Sequence, residues 1–299
     1  MNVYLKILIF FLIWLAFCFF YSIPAYIFFP GALTASAAEL KNLLSSNYLF
    51  LLSNQLAMIL GTFSTIYFFS KIIDKVRPEF LKSMMNLKGI LSGILLGALV
   101  ISACILVLAV ADRIEIEYQG FQIGILYYLF IFLVVAVSEE AMSRGFILHN
   151  LYLGTNKSMA IIISSLIFSL MHIFNSSIDI IGVINLFLVG VLFALLYLKN
   201  MNLSVPIGLH FSWNFLQGPV FGFPVSGVHT PGILKVQNIS GSQFSFEGFG
   251  LEGSIILTVI FVIMISLPLA FNFPLTLVQG RVGLQSWGIK NQSTDLKKI

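Results

Sequence analysis

The sequence has few charged residues: Asp, Glu, Lys and Arg together make up 9% of its 299 residues, whereas hydrophobic residues make up 59%. A water-soluble domain of this length needs a charged surface, so this composition excludes one and predicts a protein that folds within a lipid bilayer. The two cysteines, Cys18 and Cys104, both lie in apolar runs, so we expect no disulfide framework. The net charge of +4 is small, and its distribution does not suggest a nucleic-acid partner.

Long apolar runs dominate the rest of the sequence. A helix needs about 20 apolar residues to cross the hydrocarbon core, and eight runs bounded by charge, Pro or Gly approach this length. They are Leu5–Phe29, Tyr48–Ser70, Ile90–Val110, Phe121–Leu148, Met159–Phe174, Ile180–Leu198, Leu203–Phe221 and Ile255–Phe273. We therefore predict an all-α, polytopic transmembrane helix bundle that forms a single membrane domain over residues 1–299.

Basic residues predict the orientation of the bundle. Lys and Arg concentrate in cytoplasmic loops, and five of them lie between the second and third runs, at positions 71, 75, 77, 82 and 88. With eight spans, both termini are then cytoplasmic. The only Lys or Arg residues outside the spans that fall on the other side are Lys41, Arg113 and Lys235.

The first run also has features of a secretory signal, since Ala35-Ser36-Ala37 resembles a cleavage site. The run is too long for the apolar segment of a signal peptide, and the candidate site lies well beyond its end. We therefore expect a membrane anchor.

Two further segments bear on the architecture. Gly89, Gly93 and Gly97 recur at four-residue spacing on the third run, which predicts close packing against another helix. The segment from Gly218 to Gly253 is rich in Gly, Ser and Phe. We expect it to form a long external loop that folds back over the bundle.

Polar residues inside the spans are the best guide to function. An ionisable group in a spanning helix costs at least ~2.5 kcal/mol, so such groups are rare unless they pair or do chemistry. The fourth, fifth and seventh runs carry Glu139, Glu140, Arg144, His172, His210 and Asn214.

The two adjacent glutamates are predicted to differ. Glu140 and Arg144 are four residues apart, so on a helix they share a face and form an ion pair. Glu139 projects ~100° away from Glu140 and needs a partner from another helix. A buried carboxylate of this kind is suited to act as a general base. A structural salt bridge remains the alternative role for Glu140 and Arg144.

The histidines and the asparagine also follow helical spacing. His172 lies one turn after Phe168, and His210 lies one turn before Asn214. An imidazole and a carboxamide on one face can stabilise a developing oxyanion. Each alone is more often an interhelical hydrogen bonder, and only their coincidence with Glu139 favours catalysis. We expect no role in the site for the other two histidines, His149 and His229.

Three segments together resemble a known family. Glu139–Gly145 resembles the EExxxR motif, Phe168–His172 the FxxxH motif and His210–Asn214 the HxxxN motif of the CPBP intramembrane proteases. That family includes the type II C-a-a-X prenyl endopeptidases and the bacterial Abi proteins linked to bacteriocin processing or self-immunity. The motifs occur in the family's order, the resemblance extends over about Ser138 to Gly227, and we take residues 121–227 as the catalytic core.

The resemblance implies an intramembrane endopeptidase. By similarity, Glu139 activates water for attack on a peptide carbonyl and His172 assists it. His210 and Asn214 then stabilise the oxyanion. The residues expected to support the site are Glu140, Arg144 and Phe168.

The resemblance leaves the need for a metal open. Such proteins are commonly labelled metalloproteases, and Glu139, His172 and His210 are a plausible zinc ligand set with an open position. The same residues are equally compatible with metal-free hydrolysis, and the sequence has no HExxH helix to decide between the two.

The expected partners are the lipid bilayer and a hydrophobic or lipid-modified peptide or protein that enters between helices, in a bacterial plasma membrane. An alternative is a scaffold or bacteriocin self-immunity protein of the same fold that performs no hydrolysis. Transport is a weaker alternative, because the polar residues gather on three helices and no inverted repeat is evident.

Overall fold

A computed structural model describes residues 1–78, 80–238 and 248–270, and within these ranges the chain is an all-α membrane bundle. The helices are α1 (Val3–Phe28), α2 (Ala37–Ser46), α3 (Tyr48–Phe68), α4 (Phe80–Ser83), α5 (Leu87–Val110), α6 (Gly124–Glu140), α7 (His149–Gly154), α8 (Lys157–Met171), α9 (Ile180–Asn200), α10 (Ser204–Phe215) and α11 (Ile255–Ala270). A helix stands at each of the eight predicted runs. The last three residues of the eighth run lie outside the described residues.

Five helical segments are long and apolar enough to cross a membrane: Val3–Phe28, Tyr48–Ile73, Leu87–Val110, Gly124–Gly154 and Ile180–Lys199. Helices α8 and α11 are apolar but shorter. The structure therefore confirms the helical membrane bundle, while the count of eight spans stays a prediction.

Three helices continue into π-helical segments: Phe69–Ile73 after α3, Ala141–Leu148 after α6 and Leu216–Val220 after α10. A π-helical turn holds one residue more than an α-helical turn, so it rotates the residues that follow it, and such turns are frequent at functional sites. Two of the three directly follow predicted motif residues, since one begins after Glu140 and one begins two residues after Asn214.

The bundle has two ends that differ in charge. The basic end holds the first residues of α1, the last residues of α3, helix α4 and the α7–α8 and α9–α10 turns. Its Lys and Arg residues are Lys6, Lys71, Lys75, Arg77, Lys82, Lys88, Lys157 and Lys199. The loop end holds α2, the two strands, the α8–α9 turn and the loop between α10 and α11. Its Lys and Arg residues are Lys41, Arg113 and Lys235.

Helix α1 is an integral part of the bundle. Lys6 Nζ lies 2.6 Å from Asp74 Oδ1 and 2.6 Å from Asn150 Oδ1, which joins α1 to two other segments at the basic end. Phe10 is fully buried, and its ring stacks on Phe146. These contacts join α1 to the rest of the bundle, while the choice between an anchor and a signal sequence stays a prediction.

The predicted loop does fold back over the bundle in its described residues. Strand β2 (Leu234–Asn238) pairs antiparallel with β1 (Ile114–Tyr118), which leads from α5 to α6. Val225 bridges to both Val228 and Gly250, so the two described ends of the loop are joined. Phe223, Val225 and Leu251 are buried.

Close glycine packing joins α5 to α10, as the spacing of Gly89, Gly93 and Gly97 predicted. A Cβ atom at Gly93 would lie 2.2 Å from the Val205 carbonyl oxygen and 2.7 Å from the Leu209 nitrogen. The approach is mutual, because a Cβ atom at Gly208 would lie 2.2 Å from the Ile90 carbonyl oxygen. Since α10 also carries His210 and Asn214, this packing sets the depth at which those side chains lie.

We expect Gly93→Ala to lower the thermal midpoint of the purified protein in detergent. The added methyl group forces the two backbones apart, and overpacking of this kind costs about 1–3 kcal/mol. Gly31→Ala is the matched control, since a Cβ atom there meets nothing within 4 Å. Equal midpoints for Gly93→Ala and Gly31→Ala would contradict the account of helix packing.

Candidate active site

The structure brings the predicted motif residues together around Glu139. This residue lies at the end of α6, and its Oε2 atom is 3.7 Å from His172 Nε2 and 3.9 Å from His210 Nε2. His210 comes from the middle of α10. His172 differs from expectation: α8 ends at Met171, so His172 is the C-cap residue rather than part of the helix.

The cap position explains how His172 reaches Glu139. Its Nδ1 atom lies 2.8 Å from the Phe168 carbonyl oxygen, one of the acceptors that the end of α8 leaves without a helical donor. The imidazole ring therefore uses Nδ1 to donate to a free carbonyl oxygen at the end of its own helix, and its Nε2 atom faces Glu139.

The predicted ion pair between Glu140 and Arg144 is present and fully buried. Arg144 Nη1 donates to Glu140 Oε1 over 2.8 Å, and His210 Nδ1 lies 3.0 Å from the same oxygen. The guanidinium carbon of Arg144 lies 4.3 Å from the centre of the Phe168 ring and 4.8 Å from that of Phe193. Glu140 therefore links the buried charge of Arg144 to the imidazole of His210.

The hydrogen bonds of the two imidazoles fix where their protons lie in the neutral state. A carbonyl oxygen only accepts, so His172 carries its hydrogen on Nδ1, where Phe168 takes it. The Glu140 carboxylate likewise selects Nδ1–H on His210. In both rings Nε2 is then a bare acceptor that faces Glu139 Oε2, a buried oxygen with no hydrogen-bond partner among the residues that the structure describes.

Three acceptor atoms thus face one point from three separate elements. Such an arrangement needs a group that supplies hydrogen-bond donors or positive charge. A water molecule or a cation has that chemistry. Among the described residues, however, no three His, Cys, Asp or Glu side chains are grouped as a metal-ligand set.

These residues line a cavity of about 340 Å³ inside the bundle. Its walls are mostly apolar, with Trp14, Met58 and Phe132 among them, and Asn214 lies beside His210 on the α10 wall. Cavities of this size and character bind small molecules or short segments of chain. Of the two histidines expected to be bystanders, His149 is buried with Nδ1 3.2 Å from Tyr197 Oη, and His229 is exposed in the loop.

A second carboxyl group, that of Glu252, lies in the cavity wall and was not predicted from the sequence. Glu252 precedes α11 and is 5% exposed. Its carboxylate accepts hydrogen bonds from Trp213 Nε1 at 3.3 Å, from Ser226 Oγ at 3.3 Å and from Gln217 Nε2. These hydrogen bonds attach the loop to the end of α10, so Glu252 helps to close the cavity on the side of the loop. Trp213 and Gln217 are four residues apart in sequence, but this spacing does not indicate that both side chains donate to Glu252.

Burial raises the pKa of Glu252, and the hydrogen bonds from Gln217 and Trp213 offset only part of that effect. The folded protein then binds this proton more tightly than the unfolded chain, where a glutamate has a pKa of about 4.3. The stability that this provides is complete below the unfolded pKa and is lost as the pH rises through the folded pKa.

We therefore expect the thermal midpoint to fall as the pH rises from about 4.3 towards neutrality, and to fall less steeply in Glu252→Gln. The measurement is a series of melting curves in detergent at fixed ionic strength. The control is Glu117→Gln, which replaces an exposed glutamate on β1 and should keep the original slope. If Glu252→Gln kept that slope as well, Glu252 would not be the group responsible.

Residues 121–216 match the family model described as type II CAAX prenyl endopeptidase Rce1-like. The match covers about a third of the chain and includes all three motifs. No curated protein and no solved structure matches this chain. In this integral membrane protein, residues 121–216 are thus similar to an Rce1-like type II CAAX prenyl endopeptidase domain, which confirms the resemblance to the CPBP intramembrane proteases.

Proposed function

We propose that this protein is an endopeptidase of the bacterial plasma membrane, in which Glu139 activates a water molecule to hydrolyse a peptide bond of a hydrophobic or lipid-anchored substrate. One observation carries the proposal. Within the described part of the chain, Glu139 Oε2 has no hydrogen-bond partner, and it faces the Nε2 atoms of His172 and His210 in a cavity inside the bundle.

A water molecule between these three atoms is oriented for attack. The water donates its two hydrogens to two of the three acceptor atoms. Because both hydrogens then point towards the protein, a lone pair of the water oxygen points towards the cavity. A substrate carbonyl carbon there receives that oxygen as the new C–O bond forms, and Glu139 accepts the proton. Return of the proton to the amide nitrogen lets the C–N bond break, which leaves a carboxyl group and an amine.

The oxyanion that forms during this attack needs donors. Asn214 supplies an amide N–H from the same wall as His210. His210 holds its own hydrogen on the side of Glu140, so it donates to the oxyanion only after Glu139 has passed the proton taken from water to His210 Nε2, and this same proton is the one later returned to the amide nitrogen. The Glu140 carboxylate then stabilises the imidazolium that results.

The supporting residues have a separate task. Glu140 is buried with its charge compensated by Arg144, while Phe168 provides the carbonyl that orients His172 and packs its ring on Arg144. These contacts hold both imidazoles in place before substrate arrives, and preorganisation of this kind accounts for much of the rate that enzymes achieve.

A zinc ion at the same point would satisfy the same three atoms. In the described part of the chain, however, these side chains are not grouped as a metal-ligand set, so each step above is assigned to a side chain or to water.

We expect Glu139→Gln to abolish processing while leaving the fold intact, because the amide keeps the size of the side chain but cannot accept the proton. Loss of a general base reduces rates by about 10²–10⁴-fold. The measurement compares membrane proteomes of a deletion strain that carries either wild type or Glu139→Gln, and it looks for shortened polypeptides.

Glu115→Gln is the matched control, since it replaces an exposed glutamate of the same chain. If Glu139→Gln protein reached wild-type levels and processed every substrate equally well, the protease proposal would fail. A cellular phenotype retained by that variant would then favour the scaffold or immunity role.

A further inference from the structure

The catalytic cavity occupies only one half of the bundle. Gln55 lies in the half of α3 nearer the loop end, Phe132 in the corresponding half of α6, and Asn185 in that of α9. On α8 and α10, which run the other way, the lining residues come from the last turns. Trp14 and Phe193 lie near the middle of their helices.

The loop between α10 and α11 forms the far side of the cavity. Ser226 and Val228 contribute to the lining from one part of this loop, and Glu252 contributes from the other. Val228 is 40% exposed, so it also marks the point where the cavity meets the surroundings of the loop end.

Towards the basic end, the site is closed by packed side chains. Arg144, one turn beyond Glu140, is 1% exposed, and beyond it Phe10, Phe69 and Phe146 are fully buried against one another. Tyr197 fills the same cluster from α9. A polypeptide segment therefore cannot reach Glu139 from the basic end without opening the core of the bundle.

The distribution of charge assigns a side of the membrane to each end. The basic end carries Lys71, Lys75, Arg77, Lys82 and Lys88 in one short connection, with three more Lys residues nearby. The loop end carries only Lys41, Arg113 and Lys235 among the described residues, together with acidic groups such as Asp112, Glu115, Glu117 and Asp179. Because Lys and Arg are retained in cytoplasmic loops, the basic end is cytoplasmic and the loop end faces the other side.

The charge of the residues that line the cavity further restricts the class of substrate. Two carboxylates, Glu139 and Glu252, are in its wall, and the described residues that line it include no Lys or Arg. An anionic side chain of the substrate inside the cavity would meet no cation among these lining residues. A neutral or cationic apolar segment is therefore preferred.

We propose, on the basis of the protease function above, that the active site takes its substrate from the non-cytoplasmic side. The substrate class is a secreted or membrane-anchored polypeptide whose cleaved segment is apolar and lies at the outer leaflet. A substrate segment held on the cytoplasmic side would face the closed part of the bundle.

The first test locates the cavity mouth without any need for catalysis. Val228→Cys and Met85→Cys are made separately in a background that carries Cys18→Ala and Cys104→Ala. Intact cells that express each full-length variant are treated with a membrane-impermeant maleimide. Met85 is the matched position because it is 83% exposed at the basic end.

We expect Val228→Cys to be labelled in intact cells, and Met85→Cys to be labelled only after the membrane is permeabilised. The reverse pattern would overturn the proposal, since the cavity mouth would then face the cytoplasm.

The second test maps polypeptide termini that depend on Glu139, in membranes and culture medium of cells carrying wild type or Glu139→Gln. We expect such termini in apolar, non-cytoplasmic segments. Termini found only in cytoplasmic segments would overturn the proposal. If no terminus depended on Glu139, the protease function would fail, whereas the maleimide result would still decide which side the cavity faces.

Discussion

Arg144 carries a positive charge into a part of the bundle that water does not reach, and the arrangement around it follows from that constraint. A buried guanidinium needs a carboxylate partner and acceptors for its remaining hydrogens, since an unpaired charge in a membrane protein interior is strongly unfavourable. Glu140 provides the carboxylate at 2.8 Å, and Phe168 and Phe193 cover the guanidinium. The same Glu140 oxygen orients His210, so one buried ion pair connects α6, α8, α9 and α10.

This connection gives the two neighbouring glutamates different chemistry. Glu140 is neutralised by Arg144 and holds the proton of His210 on the side away from the cavity. Glu139 Oε2 has no hydrogen-bond partner among the described residues and points at two bare imidazole nitrogens. Two residues that are adjacent in sequence therefore have separate roles, the first as the proposed base and the second as the group that positions its partner.

The sequence predicted those features that depend on local spacing. Apolar runs located the spanning helices, and the four-residue step from Glu140 to Arg144 predicted their ion pair. The glycines of α5 indicated close packing against a helix, which the structure identifies as α10. The meeting of Glu139 with His172 and His210 was expected from the coincidence of three motifs, since no single spacing contains it.

Features that depend on long-range contacts or on small changes in helical geometry were not predicted. The π-helical turns after Glu140 and Phe215 differ from α-helix by one residue per turn, and no single residue type signals them. His172 was expected inside a helix, but its ring caps the end of α8 instead. The role of Glu252 depends on Trp213 and Gln217, which lie more than thirty residues away in sequence.

The central claim is that Glu139, His172 and His210 share one water molecule inside the bundle. It is tested most directly by an experimental structure of the protein in a lipid nanodisc, at a resolution that shows ordered water. We expect density for one water molecule within hydrogen-bond distance of Glu139 Oε2 and of the Nε2 atoms of His172 and His210. A Glu139 side chain turned towards lipid, or too far from both imidazoles for a water to bridge them, would contradict it.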